Sequence, residues 1–319
     1  MKKNFAAKNG VCQPKIKIIG IGGCGLAVTN CLEEHLKNTE IFLLDSDKEN
    51  LEKSKLDEKH KIQIGEKLTD SLGCGGNPNV GKQAALESRS IIEKLVLDTD
   101  LVITAAGVAG GTGSGVTPVV TKIAKDLGAT NIVFAVTPAK FEGDRKNEVS
   151  DAVLQKFSDK LTGVDAVVNV SIERFINKFD KKATFQELCD FVSRETAKAI
   201  KSIIDIFQEG LIQINFDDFK RFITNAGYIG ICVSEKTENI KSGIKAIADY
   251  PMIQGSFESA DKIIISVKAG NDVILSLIYE INQSMQEEFD LKDDTEMLFG
   301  VQTVKEFESD EVQVTVITA

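Results

Sequence analysis

Five glycines lie within residues 107–115, and this stretch, which also carries Thr112 and Ser114, is well suited to chemistry. An apolar run at 101–106 precedes it and a helix-like segment at 116–127 follows it, so the order is strand, glycine loop, helix. Glycines let backbone N–H groups approach an anion, and the positive end of the next helix dipole strengthens the attraction. The stretch therefore predicts a phosphate site, with a structural turn as the alternative.

A second glycine loop begins at Gly20 and contains Gly22, Gly23 and Gly25. With Asp45 about 20 residues further on, it matches the dinucleotide fingerprint, so an NAD-dependent oxidoreductase is a competing hypothesis. The stronger loop at 107–115 and the presence of only two histidines in the chain weigh against that hypothesis.

The elements that must position these loops alternate along the first half of the chain. We predict strands at 15–21, 41–44, 101–106, 131–137 and 166–170, with helices at 26–36, 81–97, 116–127 and 147–161. This alternation indicates an α/β fold with a parallel sheet covered by helices on both faces. The loops after the strands then gather at one edge of the sheet, where ligands bind.

One long amphipathic helix is predicted at 184–208, and Thr184 with Glu187 forms a capping box at its start. Beyond it we predict a loop at 211–219, strands at 229–233, 262–268, 296–301 and 312–318, and helices at 236–248 and 273–289. The last two strands are expected to be antiparallel. The predicted division is a disordered arm at 1–14, a nucleotide-binding domain at 15–183, a connecting helix at 184–209 and a smaller C-terminal domain with a mixed sheet at 210–319.

The net charge of −10 disfavours nucleic acid as a partner, because phosphate backbones are bound by clustered Lys and Arg. No apolar run is long enough to span a bilayer and the N-terminus lacks a signal core, so we expect no direct membrane insertion and a cytoplasmic location. The six cysteines form no CxxC pair, and we expect no protein metal site.

Three glycine loops, at 20–25, 73–78 and 107–115, are followed by the long helix and by an acidic loop at 211–219. This order resembles the tubulin/FtsZ superfamily. The matching segments are residues 16–20, 62–68, 76–78, 110–115, 124–128, 141–143 and 314–317. The resemblance implies a Rossmann-like GTPase domain, GTP or GDP with Mg²⁺ as ligands, and head-to-tail filaments of the chain with itself. It also implies GTP hydrolysis at the contact between subunits and a role in bacterial cell division.

The resemblance assigns two groups of site residues by position. Those expected to bind the nucleotide are Gly22, Gly23, Gly25, Gly76, Asn77, Gly110, Gly111, Thr112, Gly113, Ser114, Gly115, Pro138, Glu142, Cys189, Ser193 and, for the arginine of the family's ribose turn, Lys146 or Arg145. Those expected to act in hydrolysis, presented to the nucleotide of the next subunit, are Gln213, Asn215, Asp217 and Asp218.

The sequence departs from the family pattern in the acidic loop and among the residues that contact the base. Asn215 stands where the family's acidic loop has Asp, and Cys189 and Ser193 stand where the family has an aromatic residue and an Asp or Asn for the base. The family's C-terminal tail has no counterpart after the last predicted strand, which fits a tailless paralogue or a chain cut at its core. The alternative function is therefore a weakly hydrolysing or non-hydrolysing paralogue that forms stable filaments or regulates an FtsZ partner.

Overall fold

The computed structural model describes residues 13–319 except 33–35, 37, 178, 181, 239–243, 246, 248–249, 251, 253–259, 271–278, 282, 286, 288–293 and 309–310. The arm predicted at 1–14 therefore lies almost wholly outside the described residues. The helices predicted at 236–248 and 273–289 lie largely outside them. None of the helices that are described is both long enough and apolar enough to cross a bilayer.

The strands form two sheets. In chain order they are β1 (Ile16–Ile21), β2 (Thr39–Asp45), β3 (Lys61–Gln63), β4 (Leu101–Gly107), β5 (Thr130–Thr137), β6 (Ala166–Ser171), β7 (Gly210–Ile212), β8 (Gly227–Tyr228), β9 (Gly230–Val233), β10 (Lys262–Ala269), β11 (Glu296–Thr303) and β12 (Val312–Thr318). The larger sheet has the order β3-β2-β1-β4-β5-β6-β8, and all its neighbours are parallel. The smaller sheet has the order β7-β11-β10-β12-β9.

The helices in chain order are α1 (Gly22–Thr29), α2 (Lys48–Glu52), α3 (Glu66–Thr69), α4 (Pro78–Glu87), α5 (Arg89–Val96), α6 (Gly111–Asp126), α7 (Asp144–Phe157), α8 (Ile172–Ile176), α9 (Phe185–Asp205) and α10 (Phe216–Ile223). They confirm the predicted α/β fold, because the larger sheet is buried on both faces. Ile18 and Ile103 belong to the core on one face, and Ile19 and Val102 to the core on the other.

The sequence analysis placed the first residues of two helices too far along the chain, at 26 and 116. The structure starts α1 at Gly22 and α6 at Gly111, so each glycine loop is itself the first turn of a helix. Glycines lack the apolar side chains whose periodicity marks a helix, which is why the pattern missed these turns. The single helix predicted at 81–97 is also wrong, because Ser88 separates α4 from α5 and accepts a hydrogen bond from the backbone N–H of Gly65 (2.9 Å).

The smaller sheet is mixed, as predicted, but its last two strands are not neighbours. β10 lies between β11 and β12, pairing with β11 in parallel and with β12 antiparallel. The sequence analysis expected β11 and β12 to pair because they are consecutive in the chain. Instead β11 pairs in parallel with β10, which requires the long connection between them, and β12 pairs with the opposite edge of β10. Leu211 and Ile212, predicted as loop, form part of β7.

The long helix α9 packs between the two sheets. Its capping box at Thr184 and Glu187 is present as predicted, with Glu187 N–H donating to Thr184 Oγ1 (3.2 Å). Its apolar stripe, including Ile200 and Ile203, shares one core with Ile264 and Ile317 of the smaller sheet. The same core includes Ile18 and Ile103 of the larger sheet, so α9 shares a core with both sheets.

The last residue of α9 forms an ion pair with the smaller sheet. Lys268 of β10 contacts the carboxylate of Asp205, and their side chains are only 18% and 17% exposed. We expect Lys268→Met to lower the free energy of unfolding by about 2 kcal/mol, because it leaves a mostly buried carboxylate without its partner. Urea denaturation monitored by circular dichroism measures the change.

The matched control is the double variant Asp205→Asn with Lys268→Met. Neither charge remains in it, so we expect it to recover much of the stability that the single variant loses. A double variant as unstable as the sum of the two single variants would contradict a coupled pair.

Candidate functional site

A cavity of about 420 Å³ lies at the carboxyl ends of β1, β4 and β5, at the edge predicted to bind ligand. The predicted residues that line it are Gly22, Gly23, Gly110, Gly111, Thr112, Gly113, Pro138, Glu142, Lys146, Cys189 and Ser193. Two further lining residues, Gly107 and Ala109, belong to the stretch 107–115 that was predicted to bind phosphate. The lining residues that were not predicted are Ile21, Cys24, Ala27, Val136, Thr137, Ile172 and Val192. Most of these present small or apolar groups, which carry no chemical signal in a sequence.

Two helices begin at this cavity. The first residues of α1 and α6 line it, and neither helix has a side chain that caps its N-terminus. The first backbone N–H groups of a helix have no partner within the helix, so they are free to bind an anion. A Cβ on Gly22 would lie 3.3 Å from Cβ of Thr112, so the two N-termini are adjacent. The arrangement suits a chain of phosphates.

Gly110 leaves room for a ligand at the start of α6. Its backbone has φ −104° and ψ −172°, which any residue can adopt, so conformation does not require glycine here. A Cβ added to Gly110 would meet no protein atom within 4 Å. Gly110 also lines the cavity, so an anion in the cavity can approach its backbone closely.

Gly25 and Gly115 do not line the cavity. A Cβ on Gly25 would lie 2.5 Å from the carbonyl carbon of Gly20, and one on Gly115 would lie 2.1 Å from the carbonyl oxygen of Pro78. These two glycines are needed where helices pack closely against a strand or another helix. Ser114 is buried beside Gly115 and its Oγ has no partner among the described residues.

Gly76 and Asn77 also lie outside the cavity lining. Gly76 has φ +71°, a left-handed conformation that favours glycine. Asn77 caps α4, accepting a hydrogen bond from the backbone N–H of Asn79 (3.0 Å). The loop that contains them is nevertheless joined to the cavity wall through Ser46.

Ser46 connects three loops and was missed by the sequence analysis. Its Oγ lies 3.1 Å from Oγ1 of Thr112 and 3.1 Å from Sγ of Cys74. The signal that could have revealed it is its place directly after the buried strand β2, at the ligand-binding edge of the sheet. Through these two contacts Ser46 connects the hydroxyl of Thr112 to Cys74, which belongs to the same loop as Asn77.

Asp45, just before Ser46, is a buried carboxyl whose pKa is raised by burial. Hydrogen bonds from the backbone N–H of Asp47 (3.1 Å) and from Nδ2 of Asn50 (3.0 Å) oppose that rise. These bonds hold the turn in which Ser46 lies.

The turn after β5 brings Glu142 and Lys146 to the cavity. Oε1 of Glu142 accepts a hydrogen bond from the backbone N–H of Ala139 (3.0 Å), and Oε2 pairs with Nζ of Lys146 (2.8 Å). Of the two basic residues considered for this position, Lys146 lines the cavity and Arg145 does not.

Two thiols lie at the α9 side of the cavity. Burial, together with the nearby Cys189, raises the pKa of Cys24 to about 12. The pKa of Cys189 is raised by burial and then by the carboxylates of Glu142 and Asp190. Both are therefore neutral thiols near pH 7, poorly suited to nucleophilic or metal chemistry.

The predicted hydrolysis residues do not line the cavity of their own chain. Asn215 caps α10, and its Oδ1 accepts a hydrogen bond from the backbone N–H of Asp218 (2.8 Å). The carboxylate of Asp218 contacts Nδ2 of Asn215 and the guanidinium of Arg221, whereas Asp217 and Gln213 are exposed. This group follows β7 of the smaller sheet, so one chain does not bring the two sets of residues together.

Known proteins match this chain in sequence. The family model described as "Tubulin/FtsZ family, GTPase domain" matches residues 15–177. The cell division protein FtsZ of Aquifex aeolicus (strain VF5) is 30% identical over 308 residues, covering 95% of this chain and 82% of that protein.

Solved structures agree with the sequence matches. The structure of an empty FtsZ dimer from M. jannaschii has a TM-score of 0.85 at 26% identity, covering 96% of this chain and 88% of that one. CetZ2 from Haloferax volcanii has the same fold, with a TM-score of 0.75 at 16% identity over 95% of this chain and 92% of that one. A glycine-lined cavity where two uncapped helices begin, and a match that spans nearly the whole chain, lead to one conclusion: this protein belongs to the Tubulin/FtsZ family of GTPases.

Proposed function

We propose that this protein binds GTP and GDP in the cavity, assembles head-to-tail with copies of itself, and hydrolyses GTP where two subunits meet. The observation that carries the proposal is the separation of the phosphate-type site from residues 213–218 within one chain. A second copy can supply the missing residues, and a head-to-tail contact that does not close produces an open filament. The relatives support this, since the M. jannaschii FtsZ structure is a dimer and that of CetZ2 is a GTPγS-bound protofilament.

The residues at the N-termini of α1 and α6 would hold the phosphates. Backbone N–H groups of Gly22, Gly23, Gly110, Gly111 and Thr112 are the donors, as the uncapped helix ends suggest. Mg²⁺ fits this site because it binds phosphate oxygens and water with few protein ligands, and when bound it neutralises charge on the phosphates. The described residues gather no group of three or more His, Cys, Asp or Glu that could hold an ion without the nucleotide.

Hydrolysis requires a water molecule held in line with the terminal phosphate. The neighbouring subunit would present Gln213, Asn215, Asp217 and Asp218 to it. Asp218 is held by Asn215 and Arg221, so its orientation is set before assembly, while Asp217 offers an exposed carboxylate. A role in bacterial cell division belongs to this proposal and is supported by the similarity to FtsZ.

Phosphate release at several protein concentrations, with GTP and Mg²⁺, tests the proposal. We expect GTP turnover per subunit to rise steeply above a threshold concentration, because the complete site forms only on assembly. Turnover per subunit that stays constant from dilute to concentrated protein would contradict a site shared between subunits.

A binding protein that does not hydrolyse GTP is the second candidate, and Asn215 favours it. Both polar groups of this amide are already bonded, Oδ1 to the backbone N–H of Asp218 and Nδ2 to its carboxylate. An amide also lacks the charge with which a carboxylate polarises water. In this case GTP binds without phosphate release, and the protein forms stable filaments or co-assembles with an FtsZ partner.

Asn215→Asp separates these two candidates. We expect it to raise GTP turnover by about tenfold, because a carboxylate acts as a stronger acceptor for the water and leaves Asp218 free of the amide. Aspartate caps a helix as well as asparagine, so α10 should be retained. Asn215→Ser is the matched control, since it keeps a cap without adding charge and should not raise turnover. An increase with serine as large as with aspartate would show that charge is not the cause.

A further inference from the structure

One side of the cavity is formed by α9. Cys189, Val192 and Ser193 line it from this helix, and Cys24 and Ala27 line it from α1. If the phosphates lie at the helix N-termini, the base of a nucleotide reaches this side. The side chains on this side therefore decide which base is accepted.

Ser193 has the one hydroxyl group that α9 brings to the cavity lining in the described part of the chain. Its Oγ donates a hydrogen bond to the backbone carbonyl of Cys189 (2.8 Å), and the residue is only 7% exposed. A hydroxyl group has a single proton to donate. While this bond is kept, Ser193 offers a ligand an acceptor only.

Glu142 is the one carboxylate among the described residues that line the cavity. One of its oxygens accepts from the backbone N–H of Ala139 and the other pairs with Lys146. Guanine presents two neighbouring donors, N1–H and the N2 amino group, and strong selection for guanine needs acceptors for both. Adenine presents its N6 amino group, which a single acceptor satisfies equally well.

Building on the proposed function, we propose that this cavity is a general purine-nucleotide site that binds ATP nearly as well as GTP. Binding sites discriminate strongly only when a mismatched ligand leaves their own buried polar groups unpaired. Ser193, the side-chain acceptor that α9 provides, finds a donor on either purine, so neither base leaves it unpaired. The phosphates and ribose would then supply most of the affinity.

Competition binding with the unmodified protein is the main test. A fluorescent GTP analogue is displaced by GTP, by ATP and by ITP in the presence of Mg²⁺. We expect the dissociation constants for GTP and ATP to agree within about tenfold. A preference for GTP above about a hundredfold would overturn this inference and leave the proposed function intact, whereas binding of neither purine would overturn both.

Ser193→Asp tests which side chain faces the base. A carboxylate accepts both donors of guanine, so we expect the ratio of GTP to ATP affinity to increase by about tenfold or more. Gln186→Asp is the control, because it adds a carboxylate to the same helix at an exposed position outside the cavity lining. An unchanged ratio in folded Ser193→Asp would overturn the assignment. Ser193→Asn, which is uncharged, provides the same test should the buried carboxylate prevent folding.

Discussion

Gly110→Ala is expected to lower nucleotide affinity by at least about a hundredfold while leaving the protein folded, because it removes two or more charge-assisted contacts to phosphate. The added methyl group meets no protein atom within 4 Å, and the backbone conformation at φ −104° is open to alanine. The methyl group therefore costs little in folding but occupies the space where a phosphate would approach the start of α6. Equilibrium binding of a fluorescent GTP analogue measures the loss, and thermal unfolding checks the fold.

Gly115→Ala is the matched comparison in the same helix. Its Cβ would lie 2.1 Å from the carbonyl oxygen of Pro78 and 2.5 Å from the backbone nitrogen of Lys82, where α4 and α6 pack together. We expect a destabilisation of about 2 kcal/mol or more from this overpacking. The interpretation of Gly110 would be wrong if its alanine variant bound GTP normally, or if it unfolded as readily as the Gly115 variant.

Asp218→Asn is expected to reduce GTP turnover by about a hundredfold or more, because under the proposed function this carboxylate orients and polarises the attacking water. GTP affinity should stay the same, since Asp218 does not line the cavity of its own chain. Phosphate release at saturating GTP measures turnover, and nucleotide titration measures affinity separately. Asp57→Asn, which neutralises an exposed carboxylate elsewhere on the surface, is the control and should leave both unchanged.

Mixing variants tests whether the site is shared. A subunit with Gly110→Ala still carries an intact Asp218, and a subunit with Asp218→Asn still carries an intact cavity. When the cavity of an Asp218→Asn subunit contacts residues 213–218 of a Gly110→Ala subunit, one complete site forms. The mixture should therefore release phosphate faster than either variant alone. Normal turnover by Asp218→Asn alone would refute the role of this carboxylate.

The glycine-lined part of the cavity could be predicted from the sequence because its residues are close together in the chain. A buried strand, a run of glycines and a helix are consecutive in the chain, so Gly22, Gly110 and Thr112 could be identified without knowing what packs around them. The same holds for the capping box of α9, whose two members are three residues apart. The parallel sheet followed from the alternation of strands and helices for a similar reason.

Other features depend on contacts between residues that are distant in the chain. Ser46 meets Thr112 only because β2 and the start of α6 reach the same edge of the sheet. Gly25 and Gly115 resembled ligand-binding glycines in the sequence, yet their neighbours are the backbones of Gly20 and Pro78. Likewise, β12 pairs with β10 and not with β11, although β11 is the strand before it in the chain.

Residue type and spacing thus specify which backbone groups can bind phosphate, since that capacity resides in a few consecutive peptide units. Tertiary structure decides what each side chain faces, because burial and partners are set by the packing of whole elements. It places Lys146 rather than Arg145 at the cavity, directs the hydroxyl proton of Ser193 to its own helix, and leaves residues 213–218 away from the cavity of their own chain.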